Sequence, residues 1–490
     1  MQASLCAFLD HFNDLFKCGN KNNSVTAEQI VKGLFLSYRG ERNLERITEQ
    51  TSDRSFDKDY QRLQHFITHS PWDGFKLMNR VAIHASNLFD NEEDTAYIID
   101  EKSHLKKGKQ SVGVCNQYAG TVGKTENCQV GVYSALVNGQ ISLPINTRLF
   151  LSKKWVDDEE RCKKAQIPQQ ARNYKTKHQL AIDMIREDLE NGVRFGWIGG
   201  DGLYGHSYEL SDQIDELKQK FVFDVHQDQF IYLSKPEVRI PKNKRTGRPH
   251  TRLVSDIEPM EARAYMASLK DQDFQKITIR KTPKGPLKYR IHVVKVWTWL
   301  APSSRDKGQK QPRERTLIIR KSISSSNRPK VKYSLSNFTL EEVSIERFAY
   351  MQAQRFWIEK SFKDNSQDIG MSDYQVRKYH AWYHFQAMTM LAMLFVTYLK
   401  INNKEELPLL SYRDVKQLIY TVFIDNQASR MIRMLEQLVL RHHRRQRDID
   451  RYYQRTSDHL ICMPTALSVW FSGGGLLNFA YRRVEVCVAG

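Results

Sequence analysis

Residues 95–100 read Thr-Ala-Tyr-Ile-Ile-Asp, and residues 193–202 read Val-Arg-Phe-Gly-Trp-Ile-Gly-Gly-Asp-Gly. Each is a short run of β-branched and aromatic residues that stops at an aspartate, the pattern of a buried strand with a carboxylate at its end. Between them, 111–118, 129–137 and 142–151 have strand composition, separated by glycines and by a polar turn at 124–127. An amphipathic helix follows at 179–190. Beyond Asp201 come a helix at about 207–218 and a strand at 221–225. Three or four strands, then helix, strand, helix, strand is a mixed α/β layer and not a repeating βαβ array.

Working outward, residues 1–94 are helical in texture, with apolar residues at helical spacing in 27–38, 44–49, 60–68 and 75–88. A first core part spans 95–233. Residues 234–341 change character: Pro, Gly and basic residues crowd 241–252, 302–315 and 322–330, and strand-like runs lie at 276–280, 287–299 and 316–321. This is a β-rich insertion with basic loops. A second core part covers 342–402, with one helix from 343 through 362 and another at 374–400. A basic helical region, 403–456, carries a long helix from 412 into Arg-His-His-Arg-Arg-Gln-Arg at 441–447. The tail, 457–490, has no periodicity and is unassigned.

At 490 residues the chain is too long for one core. Its 75 Lys and Arg against 56 acidic residues give a formal charge of +19, which points to a large acidic partner such as nucleic acid. Seven scattered cysteines form no CxxC or Cys/His cluster, so no disulfide framework or structural zinc is expected. The first residues carry acids where a signal peptide needs a basic segment. Residues 381–399 are apolar, but His384, Gln386 and Thr389 within them suit a buried core helix and not a membrane span.

The chemistry rests on carboxylates. Asp100 and Asp201 end strands, and Gly200 and Gly202 leave room for an ion and a phosphate beside Asp201. The ordinary alternative is an Asp-Gly turn. On the helix around 354–363, Arg355, Glu359 and Lys363 recur every four residues and share a face, bordered by Met351, Ile358 and Phe362. A solvated salt-bridge row is the alternative there. Three carboxylates suffice to hold two hard divalent cations.

With these residues go Lys106-Lys107-Gly108, GTVGKTENCQVGV at 120–132, LPINTRLFL at 143–151 and GGDGLYG at 199–205. VKGLFLSYRGERNLERITE at 31–49 and SPWD at 70–73 join them. Together they resemble the bacterial insertion-sequence DDE transposases, in particular the branch known as DDE superfamily endonucleases, over about residues 25–400. The resemblance implies an RNase H-like mixed sheet with a β-rich insertion between the second Asp and the Glu, flanked by helical N- and C-terminal regions. It implies Asp100, Asp201 and Glu359 as catalytic and metal-holding residues, with two Mg²⁺ ions and Mn²⁺ as a substitute. Glu101 is the rival for the first carboxylate. The implied partners are double-stranded DNA, both terminal inverted repeats and target, and a second copy of the chain in the synaptic complex. The implied setting is the bacterial cytoplasm, on the nucleoid, with no membrane. The alternatives are a structure-selective nuclease on the same fold and a DNA-binding derivative without catalysis. Related transposases carry Tyr-x2-Arg-x3-Glu-x6-Lys around the glutamate. Here Arg355 and Glu359 fit, but Gln352 and Ser366 occupy the Tyr and Lys positions.

Further candidate DNA contacts are Arg355, Lys363, Lys106 and Lys107. Trp297 and Trp299 on one strand face offer an aromatic platform for an unstacked base, ordinary β packing being the alternative. Arg444 and Arg445, at the heart of the basic run, suit phosphate contact, or else a solvated helix end. Replacing both by Ala is expected to weaken DNA binding and to flatten the log–log salt dependence by up to about two contacts. Titrations at several salt concentrations check this.

Overall fold

A computed structural model describes residues 2–423, apart from 53–54, 90, 242–251, 283–284, 302–308, 310, 324–329, 375, 404 and 406–410; beyond 423 it describes residues 443, 447 and 451. The chain divides into Met1–Asp425 and Asn426–Gly490, and the architecture below is that of the former. Arg444, Arg445 and the tail 457–490 lie outside the described residues.

Ten strands form one mixed sheet: β1 (Thr95–Leu105), β2 (Cys115–Ala119), β3 (Lys124–Asn138), β4 (Ile141–Phe150), β5 (Trp197–Gly200), β6 (Phe221–Val225), β7 (Gln275–Thr282), β8 (Gly285–Thr298), β9 (Arg313–Ser322) and β10 (Val331–Ser336). Their order is β7-β8-β9-β10-β6-β5-β1-β3, with β2 and β4 side by side along the far edge of β3. β5 and β6 run parallel to β1, and every other pairing is antiparallel. Parallel neighbours need crossovers. Tyr208–Glu216 makes the one from β5 to β6, while Lys177–Glu190 precedes β5.

The β-rich segment is therefore no free-standing appendage. β10 pairs with β6, so β7 to β10 extend the core sheet edgewise. β10 follows the basic stretch 322–330, at residues 331–336 to which the sequence reading assigned no strand. Its Val-Lys-Tyr-Ser-Leu-Ser alternates Val331, Tyr333 and Leu335 with Lys332, Ser334 and Ser336, a strand pattern too short to stand out beside the basic run, and both serines are buried. The expected turn at 124–127 is the start of β3 instead. The reversal comes at 119–123, where Gly123 has φ of 68°, and Thr125 to Asn127 pair with β2. The strand expected from 193 begins only at Trp197. The single helix expected through 362 is two, Ile345–Gln354 and Phe356–Asp364. Arg355 between them keeps helical angles (φ −53°, ψ −33°), so the break lies in the hydrogen bonding and not in a bend.

Among the N-terminal helices, Leu44–Thr51 packs against Ser24–Leu36 and Phe56–Thr68, and those two pack with Gly74–Asn87 on Tyr379–Asn402. That last helix is long and apolar enough to cross a membrane, but most of it is buried in the protein. Its neighbours explain the 70–73 motif. Trp72 stacks on His384 (ring centroids 3.8 Å apart) and donates its indole N–H to the Phe66 carbonyl, while Asp73 caps Gly74–Asn87. Gly33 lets the first two of these helices meet, since a Cβ there would collide with Ile47.

The 39–42 turn is tied to the rest of the fold by a fully buried arginine. Arg42 donates to the Leu34 and Gln367 carbonyls and lies 3.3 Å from Asp373, whose Oδ2 also accepts from the Gly40 backbone at 3.1 Å. Removing one partner of a buried pair strands the other charge. Asp373→Ala is expected to destabilise the protein by ~3–5 kcal/mol, read as a lowered midpoint in urea unfolding.

Candidate active site

The register of the parallel strands builds the site. Ile99 is opposite Gly200, and Gly200 is opposite Phe223. The next residues are Asp100 in β1, Asp201 just past the end of β5 and Asp224 in β6, so three aspartates stand in one row across adjacent strands, which lie about 4.8 Å apart. Asp201 also caps the turn Gly202–Gly205, accepting from the Leu203 N–H at 2.9 Å. Gly205 is required there, because a Cβ would collide with the Asp224 carbonyl oxygen. That contact accounts for the last glycine of the 199–205 motif.

Burial, then the charge of Asp201, pushes the Asp100 carboxyl up to about 8. Burial and then Glu101 raise Asp201 above the usual carboxylate range. Arg355 opposes both shifts. Its guanidinium is the hub of the site: Nη2 lies 2.9 Å from Glu359, Nε 3.0 Å from Asp224 and Nη1 3.7 Å from Asp100. Glu101, the rival first carboxylate, points to Lys177 (2.7 Å) and accepts from the Tyr204 hydroxyl at 3.1 Å.

Three cavities meet here. One of about 740 Å³ is lined by Asp100, Glu101, Asp201, Glu359, Lys102 and Lys363. A second, about 600 Å³, lies beyond Asp201 and Asp224 and includes His226, Lys332 and Arg355. A third, about 560 Å³, runs from Arg355 and Glu359 to Arg280, Arg320, Phe356 and Trp357. In it Arg280 sits 4.7 Å over the Trp357 ring and 5.3 Å over that of exposed Phe356.

The donor chemistry suits hard divalent cations. All the acids are oxygen donors, and two carboxyls raised by crowding and burial are relieved by a nearby positive charge. Among the described residues, no three acidic, histidine or cysteine side chains already stand grouped to close around one ion. Glu359 is instead engaged with Arg355, whose charge offsets part of the cluster.

The remaining sequence-derived candidates divide. Lys363 is exposed on the first cavity. Lys107 is exposed but lines none of these three cavities. Lys106 is a correction: it is buried, its Nζ lies 3.4 Å from the Tyr374 carbonyl, and burial lowers its pKa to about 8. Trp299 is another. It lies beyond the end of β8, is buried, and donates its indole N–H to Gln309, so it presents no platform. Trp297 is half-buried under Lys235 and Lys295. The sequence reading missed Asp224, Lys102 and Lys332. The signal for Lys102 was its place two residues beyond Asp100 on one strand face; for Asp224 it was the lone acid in Phe-Val-Phe-Asp-Val.

The family model described as DDE superfamily endonuclease matches residues 8–286, and the chain belongs to that family. The match contains Asp100 and Asp201 and ends before Glu359. Over 173 residues the chain is 30% identical to a protein of Microchaete diplosiphon described as a probable transposase for insertion sequence element IS701. That alignment covers 35% of this chain and 42% of the relative, so the chain spans less than half of that protein's length.

Asp100 carries a pH signature. Its folded pKa of about 8 lies above the ordinary 3.8, so its contribution to stability is full below pH ~4 and lost as pH rises through 8. Asp100→Asn is therefore expected to raise the melting temperature of the metal-free protein at pH 8, by on the order of 1 kcal/mol or more in stability. The difference should shrink toward pH 4. Thermal melts across this range check it.

Proposed function

We propose that this protein is a cut-and-paste DDE transposase whose Asp100, Asp201 and Glu359 hold two divalent cations, Mg²⁺ with Mn²⁺ as substitute. The observation that carries the reading is the placement of Asp100 and Asp201 side by side on parallel strands, with Arg355 joining Asp100 to Glu359. The strand order β4-β3-β1-β5-β6, with β1, β5 and β6 parallel and β3 reversed, supports an RNase H-like core.

When bound, the cations activate the attacking oxygen and stabilise the leaving one. The protein's own groups do the positioning, which is most of what phosphoryl transfer requires. Asp100, its carboxyl pushed up to about 8 by burial and by Asp201, mainly holds a proton at neutral pH in the metal-free site, and a cation binding there would displace it. Arg355 and Lys363 neutralise phosphates of the strand being cut. The third cavity, with Phe356 beside Arg280, takes over the role expected of Trp297 and Trp299 in holding an unstacked base. Water would first be the nucleophile, freeing a 3′-hydroxyl at the terminal repeat. That hydroxyl would then attack a target phosphodiester, forming one P–O bond as another breaks. The N-terminal helices would recognise the repeat ends, and Arg39 on the rim of the first cavity brings that region to the site. Two ends held together imply a homodimer, working in the cytoplasm where the DNA is.

Asp201→Asn keeps shape but removes a ligand charge. Mg²⁺-dependent nicking of a repeat-end duplex is expected to fall by at least about 100-fold, with DNA affinity unchanged or slightly higher. A mutant that nicks at the wild-type rate would overturn the assignment. A wild-type protein that nicks but never joins a precleaved 3′-hydroxyl end would be a structure-selective nuclease.

A further inference from the structure

Asp224 belongs to none of the roles assigned above, yet it is held from several directions. The buried Ser334 hydroxyl donates to its Oδ1 at 2.7 Å, and the buried Gln352 amide donates to Ser334 at 2.7 Å. Oδ2 accepts from Arg355 Nε at 3.0 Å, and exposed Lys332 lies 3.7 Å away. Ser334 stands opposite Asp224 in the β10–β6 register, so the sheet itself sets this geometry.

A guanidinium is a rigid planar fork, so fixing Nε fixes the direction in which both terminal nitrogens point. In the present structure those nitrogens face Glu359 and Asp100. Both of these are acids assigned to cations. Once cations engage them, their hold on Arg355 weakens, and Asp224 is the carboxylate that remains at its Nε. We propose that Asp224 is a positioning residue that, through the Gln352–Ser334 chain, aims Arg355 at a phosphate of the bound DNA strand. The inference rests on the proposed DNA-cleaving role of the site. It also gives Gln352, which stands where related chains have tyrosine, a part in placing the arginine.

The test is binding of a labelled, precleaved repeat-end duplex with Ca²⁺, a hard oxygen-binding cation, supplied to engage the acids, at several salt concentrations, by wild type, Arg355→Gln, Asp224→Asn and the double variant. Each single variant is expected to bind about 10-fold more weakly and to lose about one unit of salt slope. The double variant should be no weaker than Arg355→Gln, since both act through one contact. Mn²⁺ affinity, measured with the ion alone by electron paramagnetic resonance, should change less than about 3-fold in Asp224→Asn. Ser334→Ala, which leaves every charge in place, should weaken DNA binding in the same direction by a smaller factor. It carries the test should Asp224→Asn fail to fold. Wild-type affinity in Asp224→Asn, additive losses in the double variant, or a 10-fold loss of Mn²⁺ affinity would each overturn the inference. Wild-type affinity in Arg355→Gln would remove the DNA contact on which it depends. A wild-type protein that never nicks with Mg²⁺ would instead overturn the proposed function, and the binding comparison would still stand on its own.

Discussion

The parallel register of β1, β5 and β6 is the constraint on which the site depends. Two ladders, Ile99 with Gly200 and Gly200 with Phe223, bring residues from positions 100, 201 and 224 into one row. A slip of one residue in either ladder would turn a carboxylate to the opposite face of the sheet. The surrounding sequence protects that register. Gly205 allows the turn after Asp201 to seat on the Asp224 backbone, and the apolar runs before each aspartate are buried on both sides.

Gathering acids in this way costs stability unless positive charge is supplied. Arg355 supplies it within the chain, reaching Asp224, Glu359 and Asp100 from a point where the helix hydrogen bonding is interrupted. The raised carboxyls of Asp100 and Asp201 show that one arginine does not balance the cluster completely. The residual demand for charge is what fits the site to cations. The cavities leading away carry further basic side chains, Lys102 and Lys363 in one and Arg280 and Arg320 in another.

Much of this was legible before the fold was known, and the gaps have physical reasons. The strand 221–225 was read to the residue, and Asp100 and Asp201 were found because apolar runs stop at them, although β1 itself continues through Asp100 to Leu105 and only Asp201 follows a strand's end. Asp224 was passed over because an apolar residue, Val225, follows it, so one polar residue among apolar ones reads as ordinary in–out alternation. Its importance comes from pairing, which is not local in sequence. β10 was missed although Val331, Tyr333 and Leu335 alternate with polar residues, because the run is short and follows the basic stretch 322–330; one of those polar residues, Ser334, binds that same aspartate. Lys124 to Asn127 looked like a turn because there β3 runs past the end of β1 beside β2 and is polar on both faces. Trp299 was credited with a strand position two residues from Trp297, but the strand ends first and its ring turns inward. Lys106 was counted as a surface cation from its lysine-rich neighbourhood, although its own side chain is buried against Tyr374.

The central claim is that Asp100, Asp201 and Glu359 share divalent cations. Anomalous diffraction from crystals soaked in Mn²⁺ tests it most directly, since it locates the ions without relying on activity. The account predicts Mn²⁺ peaks within oxygen-ligand distance, about 2.0–2.3 Å, of Asp100 and Asp201, with Glu359 drawn from Arg355 toward an ion. Peaks confined to other acids, or a Glu359 still paired with Arg355 while Mn²⁺ is bound without it, would contradict the account.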